Sequence, residues 1–169
     1  LWDDVKTTTN ATKELLNLFG QLVDRSFIDK IKPKPIELIQ RCMHLLTAKN
    51  DIFIDFFAGS GSSGHAAVEI KREGFGERKY VLAEMGSYFD VLLKPRMAKV
   101  VYASEWKNGK PVSRDTGISH CFKYIRLESY EDTLGNLRLN TKQDLFSQNS
   151  DDEARQAYVM NYMLDVETR

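Results

Sequence analysis

The stretch "DFFAGSGSSGHAAVEI", residues 55–70, carries residue types whose spacing suits cofactor chemistry. Gly59, Gly61 and Gly64 form G-x-G-x-x-G, which lets a backbone turn tightly and approach a ligand with no side chain in the way. Asp55 stands four residues before Gly59, at the end of the apolar run that feeds the turn. Glu84 lies twenty residues past Gly64, at the end of the next apolar run. An acid there accepts hydrogen bonds from the two hydroxyls of a nucleoside ribose. A bare G-x-G-x-x-G also occurs in strand-to-helix turns that bind nothing, and Glu84 is what weakens that alternative here.

Other glycine-turn chemistries fit less well. A phosphate loop needs G-x-x-x-x-G-K-S/T, and His65 and Ala66 stand where its lysine and hydroxyl belong. A hydrolase elbow needs G-x-S-x-G, which no window supplies. A dinucleotide would set its pyrophosphate at the glycine turn, where the Asp55 carboxylate repels it. S-adenosylmethionine has no phosphate and carries a sulfonium and an ammonium group, so a carboxylate on the first strand favours it. Asp55 also suits a plain turn cap, and the two roles are compatible.

The elements that must position these residues follow from periodicity. "TTTNATKELLNLFG" reads as a helix capped by Thr9 or Asn10 and stopped by Gly20. A polar stretch leads to "KPKPIELIQRCMHLLTAKN", with Pro35 in the first turn of a helix. Ile36, Ile39, Met43 and Leu46 form its apolar stripe, widened by Leu38, Cys42 and Leu45. "IFIDFF" and "KYVLAE" read as buried strands on either side of a helix from about Ser62 to Lys71. That is a βαβ unit, with parallel strands and a right-handed crossover. "SYFDVLLKPRMAKVVYA" is helical, broken or restarted at Pro95. "SEWKNGKPVSRDTG" reads as a polar connection and "SHCFKYIRLES" as a further strand. In the tail, "NTKQDLFSQN" reads as a linker, and Ser150 with Glu153 forms a capping-box spacing before a last helix.

Composition bounds the rest. The 169 residues suffice for one domain or a domain with an appendage. They are 42% hydrophobic and 28% charged with formal net charge +0, which gives no general attraction to nucleic acid or an anionic membrane. Cys42 and Cys121 have no metal-type spacing and no secretory signature precedes them, so a reduced cytoplasmic protein is expected. Apolar runs are too short to span a bilayer. The chain begins at Leu1 rather than Met, as a piece of something longer would.

"KPIELIQRC", "DIFIDFFAGSGSSGHA" and "GERKYVLAEMGSYFDVLLKPRMAKVVY", in that order, resemble the cofactor-binding half of a β-class DNA adenine-N6 methyltransferase, above all the Mod subunit of type III restriction-modification systems. "FKYIRLESYEDTLGNL" and "YMLDVETR" resemble the C-terminal part of those subunits, so the likeness runs through nearly the whole chain. The resemblance implies an α/β fold: a partial Rossmann-like S-adenosylmethionine-dependent methyltransferase with a parallel βαβ core and a small α/β C-terminal extension. Residues 1–104 would be the cofactor-binding half and residues 105–169 the extension, an interaction region. It further implies that Lys34 and Pro35 lie against the methionine end of S-adenosylmethionine, that Asp55, Phe57, Ala58, Gly59 and Gly61 form the cofactor loop, and that Glu84 binds the ribose. Phe27, upstream of the Lys-Pro pair, is either a cofactor contact or a core residue. His65 reads as a helix-start residue near the pocket, and His44 and His120 as surface or core residues. No residue suggests metal binding.

One departure from the family matters. Its members hold the target amine with an Asp/Asn/Ser-Pro-Pro-aromatic loop, and the four prolines here are Pro33, Pro35, Pro95 and Pro111, with no Pro-Pro pair. In the β class that loop and the target-recognition region precede the segment seen here, so an N-terminally truncated chain without catalytic residues is expected. The resemblance implies in-line attack by the N6 of a flipped-out adenine on the sulfonium methyl. It also implies partners: double-stranded DNA through the missing N-terminal part, a restriction (nuclease/helicase) subunit, and a second copy in a homodimer. Ile52, Phe53 and Ile54 would lie on an edge left open by truncation. Two alternatives stand beside this one: a nicotinamide- or flavin-binding Rossmann domain, and a non-catalytic subunit-docking module.

Overall fold

The computed structural model describes residues 6–129. The chain divides into two compact units, Leu1–His120 and Cys121–Arg169. The elements run α1 (Thr8–Phe19), α2 (Arg25–Ile31), α3 (Ile36–Leu46), β1 (Ile52–Asp55), α4 (Ser62–Arg72), β2 (Lys79–Leu82), a π-helical turn (Phe89–Leu93), α5 (Lys94–Tyr102), β3 (Trp106–Lys107) and β4 (Lys110–Pro111).

The βαβ unit forms as its periodicity requires. β1 and β2 pair in parallel, with Ile52 opposite Lys79 and Asp55 opposite Leu82. α4 crosses between them and is buried along much of its length. Its small Ala66 and Ala67 admit α3, so that Ile36, Met43, Ala66, Ala67 and Ile70 make one cluster, with Phe53 and Tyr80 packed on it. Its other side joins Leu15, Leu18, Phe19, Ile28, Val68, Leu92, Leu93, Met97 and Val100 in the larger cluster. Each fully buried aliphatic side chain of this kind contributes about 1.5 to 3 kcal/mol. Gly64 leaves no room for a side chain where α4 meets Leu82 and Met97. A Cβ there would stand 2.7 Å from Leu82 Cδ1 and 2.8 Å from Met97 Sδ.

The strands are not buried on both faces, contrary to expectation. Ile52, Ile54 and Val81 are 60%, 50% and 51% exposed, while Phe53 and Tyr80 face the helices. Among the described residues helices cover one face of the sheet only, so alternation governs burial even in these apolar runs. β2 also ends at Leu82, two residues before Glu84. Leu45 and Leu46 are exposed as well, which leaves the stripe of α3 narrower than its sequence suggests.

Other departures are local. Thr7, rather than Thr9 or Asn10, precedes α1. The polar stretch before α3 contains α2, whose cap Asp24 accepts from the Ser26 amide at 3.2 Å. Pro35 caps α3 from outside the helix rather than opening its first turn. Pro95 starts α5 after the π-helical turn. The expected polar connection holds the β3–β4 hairpin. Its turn residues Asn108 and Gly109 have φ of 50° and 78°, the left-handed pair that a two-residue hairpin loop requires. The hairpin packs on α1 through the Gly109 amide, which donates to Asn17 O at 2.8 Å. Residues 119–129 form no strand, because β-prone residues make one only where a neighbouring strand accepts their hydrogen bonds. The described part of the expected α/β extension thus contains a hairpin and no helix. The linker and the Ser150–Glu153 capping box lie outside the described residues.

Candidate functional site

The site forms at the carboxyl ends of β1 and β2. Gly59 and Gly61 adopt φ of 55° and 78°, so the chain leaves β1 and enters α4 through left-handed backbone that favours glycine. Asp55 spans that turn. Its Oδ1 accepts from the Phe57 amide at 3.1 Å and its Oδ2 from the Ser63 hydroxyl, tying the strand end to the first turn of α4. The loop is also fastened to the chain beyond β2. The Ala58 amide donates to Ala83 O at 3.1 Å, and the Ala83 amide to Asp55 O at 2.9 Å.

Glu84 completes the frame. Its Oε2 accepts from the Gly59 amide and its Oε1 from the Gly86 amide, both at 2.8 Å. A carboxylate offers about four lone-pair directions, and although the Tyr88 side chain also bonds this one, capacity remains for a ligand hydroxyl. Asp55, Ala58, Gly59, Gly61 and Glu84 are therefore brought together. Phe57 flanks them, exposed, as are Phe56 and Met85. Lys34 is exposed and Pro35 buried at the start of α3; among the described residues neither shares a hydrogen bond with the loop. Phe27 packs on the larger core cluster and meets Tyr88 edge-on at 6.3 Å between centroids, which is the core role.

Beneath the loop lies a polar network that sequence inspection missed. Arg96, 2% exposed, donates through Nη1 to Ser60 O at 3.0 Å, Ser60 Oγ at 3.0 Å and Ser62 Oγ at 3.1 Å. Its Nη2 lies 3.2 Å from His65 Nδ1. His65 Nε2 faces Glu69 Oε1 at 3.4 Å, and Glu69 is paired with Arg72. Burial pushes His65 down to about 4 despite Glu69, so the imidazole is neutral at pH 7. Nδ1 then accepts from Arg96 and Nε2–H points at Glu69. Burial also lowers Arg96 to about 10, leaving it a cation at neutral pH. One signal for this residue was available: Arg96 stands on the apolar stripe of Leu93, Met97 and Val100, where a charge needs buried partners.

His44 is exposed and lies edge-on to Phe75, whereas His120 Nε2 bonds Tyr80 Oη at 2.7 Å. Among the described residues no group of three or more His, Cys, Asp or Glu could hold a metal ion. No described helix is long and apolar enough to cross a membrane.

A glycine-rich turn follows the first of two parallel strands, with one acid ending that strand and a second two residues beyond the other. The chain belongs to the DNA methylase family, whose sequence pattern matches residues 1–93. It is 36% identical over 81 residues to the Type III restriction-modification enzyme StyLTI Mod subunit of Salmonella typhimurium, covering 48% of this chain and 12% of that one. It is 33% identical over 85 residues to the Type II methyltransferase M.KpnI of Klebsiella pneumoniae, covering 50% and 19%. With the probable type III restriction-modification enzyme HindVI Mod subunit of Haemophilus influenzae, identity is 28% over 133 residues, or 79% and 15%. The chain thus spans less than a fifth of the length of these relatives. Membership in the family implies a methyl donor.

Proposed function

We propose that this chain is the cofactor-binding part of a DNA adenine-N6 methyltransferase, the modification subunit of a restriction-modification system, and that its methyl donor is S-adenosylmethionine. The observation that carries this is the bond between Glu84 and the Gly59 amide. A pyrophosphate at a glycine turn is held by the free N–H groups of the loop and the following helix. Here the Gly59 N–H is already taken by a carboxylate, and Asp55 adds a second negative charge at the same turn. Both features oppose a dinucleotide and suit a donor with hydroxyls and cationic groups but no phosphate.

Glu84 would hold the ribose hydroxyls with its remaining lone pairs. Asp55 would face the cationic amino-acid end, with Lys34 and Pro35 alongside. Phe57, Ala58, Gly59 and Gly61 would line the cofactor, the glycines giving it access to backbone. Once bound, S-adenosylmethionine supplies an electrophilic methyl group on its sulfonium. The acceptor would be the N6 amine of an adenine turned out of the duplex. No Pro-Pro pair stands in this chain to hold that amine, so other residues of a longer polypeptide must do so.

The same proposal carries a Rossmann-like fold for the complete domain, with residues 1–104 as its cofactor half and the chain after residue 104 as an interaction region. It places the polypeptide in the cytoplasm, in contact with double-stranded DNA, a restriction subunit and a second copy of itself. Titration calorimetry of the complete polypeptide with S-adenosylmethionine, its demethylated product and NAD tests the cofactor. Binding of the first two and not the third is expected, followed by labelled methyl transfer to adenine N6 in duplex DNA. Binding of NAD alone would overturn the proposal.

A further inference from the structure

We propose that Arg96 is a positioning residue for the glycine loop, clamping its central carbonyl from beneath while Glu84 clamps the preceding amide from the other side. This rests on the cofactor-binding role proposed above. Glycine at 59 and 61 gives the loop the backbone it needs but also leaves it free to adopt others. Two opposite charges from different elements remove that freedom at adjacent residues. Glu84, beyond β2, takes the Gly59 N–H at 2.8 Å, and Arg96, on α5, takes the Ser60 C=O at 3.0 Å.

The surroundings of Arg96 favour this over a packing role. All its hydrogen-bond partners are neutral: one carbonyl, two serine hydroxyls and a neutral imidazole. Its Nε has no partner. A buried cation without a bonded carboxylate is costly, and an apolar side chain of similar volume fills such a site at less cost. What the guanidinium adds is a rigid fork that reaches Ser60, Ser62 and His65 at once. The fork is itself held in place. His65 accepts from it and faces Glu69; Glu69 pairs with Arg72, whose Nη2 donates to Val100 O at 2.5 Å. The chain of contacts therefore runs from the far part of α5 through α4 to the loop. A loop fixed before the ligand arrives avoids the ordering cost of binding.

Two readouts test this in the complete polypeptide. The first needs no ligand: in Arg96→Met, amide hydrogen exchange of residues 57–63 should quicken about tenfold relative to residues 66–70 of α4. The second is cofactor affinity. Arg96→Met should raise the dissociation constant and KM for S-adenosylmethionine about tenfold, with kcat at saturating cofactor and duplex affinity little changed. Arg96→Lys, which can donate to Ser60 but cannot fork, should fall between. Ser62→Ala removes one acceptor and keeps the fold whether or not Arg96→Met does; it should weaken binding severalfold. Combined with Arg96→Met it should add nothing. Loop exchange at the wild-type rate in Arg96→Met and Ser62→Ala, or a lower melting temperature with unchanged cofactor affinity, would overturn the clamp. Should wild type fail to bind S-adenosylmethionine while loop exchange still quickens in the variants, the clamp is supported and the cofactor proposal fails.

Discussion

Glu84 Oε2 and the Gly59 amide nitrogen stand 2.8 Å apart, joining the chain beyond one strand to the turn that leaves the other. The carboxylate thereby shapes the loop and presents its remaining lone pairs to whatever lies above it. Glu84→Ala should weaken S-adenosylmethionine binding by the complete polypeptide by about 1 to 3 kcal/mol, since the ribose hydroxyls and the Gly59 amide both lose their partner. An unchanged dissociation constant would remove Glu84 from the site.

The chain of 169 residues by itself should transfer no methyl group to DNA and bind S-adenosylmethionine weakly or not at all. No Pro-Pro-aromatic loop is present to hold the amine, and the exposed Phe57 and Met85 flank the site without enclosing it. Incubation with labelled cofactor and duplex DNA checks this. Turnover by a pure sample would mean that other residues position the acceptor.

Stability should fall as pH drops. His65 is held neutral in the folded protein, with its value pushed from 6.5 to about 4 chiefly by burial. Between those values the unfolded chain binds the proton and the folded one does not. The contribution of His65 is therefore complete above pH 6.5 and is lost progressively down to about pH 4, by at most about 3 kcal/mol. Urea unfolding at a series of pH values would follow it. His65→Gln should flatten that part of the profile, and an equally steep fall in the variant would assign the effect elsewhere.

Gly64→Ala should destabilise the unit by about 1 to 3 kcal/mol through overpacking. The added methyl meets the side chains of Leu82 and Met97 well inside van der Waals contact, so both must shift to admit it. Thermal unfolding measures the loss. A neutral result would mean that Met97 swings aside at little cost.

The outer face of the sheet, with Ile52, Ile54 and Val81 half-exposed or more, should drive self-association of the 169-residue chain. Light scattering across a concentration series should show it, and Ile54→Lys should reduce it. A monomer at all concentrations would indicate that this face is satisfied within the chain.

Much of the site was legible in sequence because its determinants are local. The G-x-G-x-x-G spacing, the apolar runs on either side and the acid ending each run are set by neighbours within a few residues, and the structure assembles them as a βαβ unit. The Asn108-Gly109 turn is equally local; the dipeptide is a strong hairpin signal within an otherwise polar stretch. What tertiary structure alone decided depends on contacts far apart in the chain. Periodicity says that IFID is extended and apolar, but whether Ile52 and Ile54 are covered depends on which elements pack on that face. Residues 119–129 have strand composition, but a strand exists only with a partner. Arg96 meets Ser60 and Ser62 from 36 and 34 residues away, a proximity that no local spacing encodes. The crowding at Gly64 likewise comes from Leu82 and Met97 on other elements, so the chain announces a glycine there but only the packed fold gives the reason.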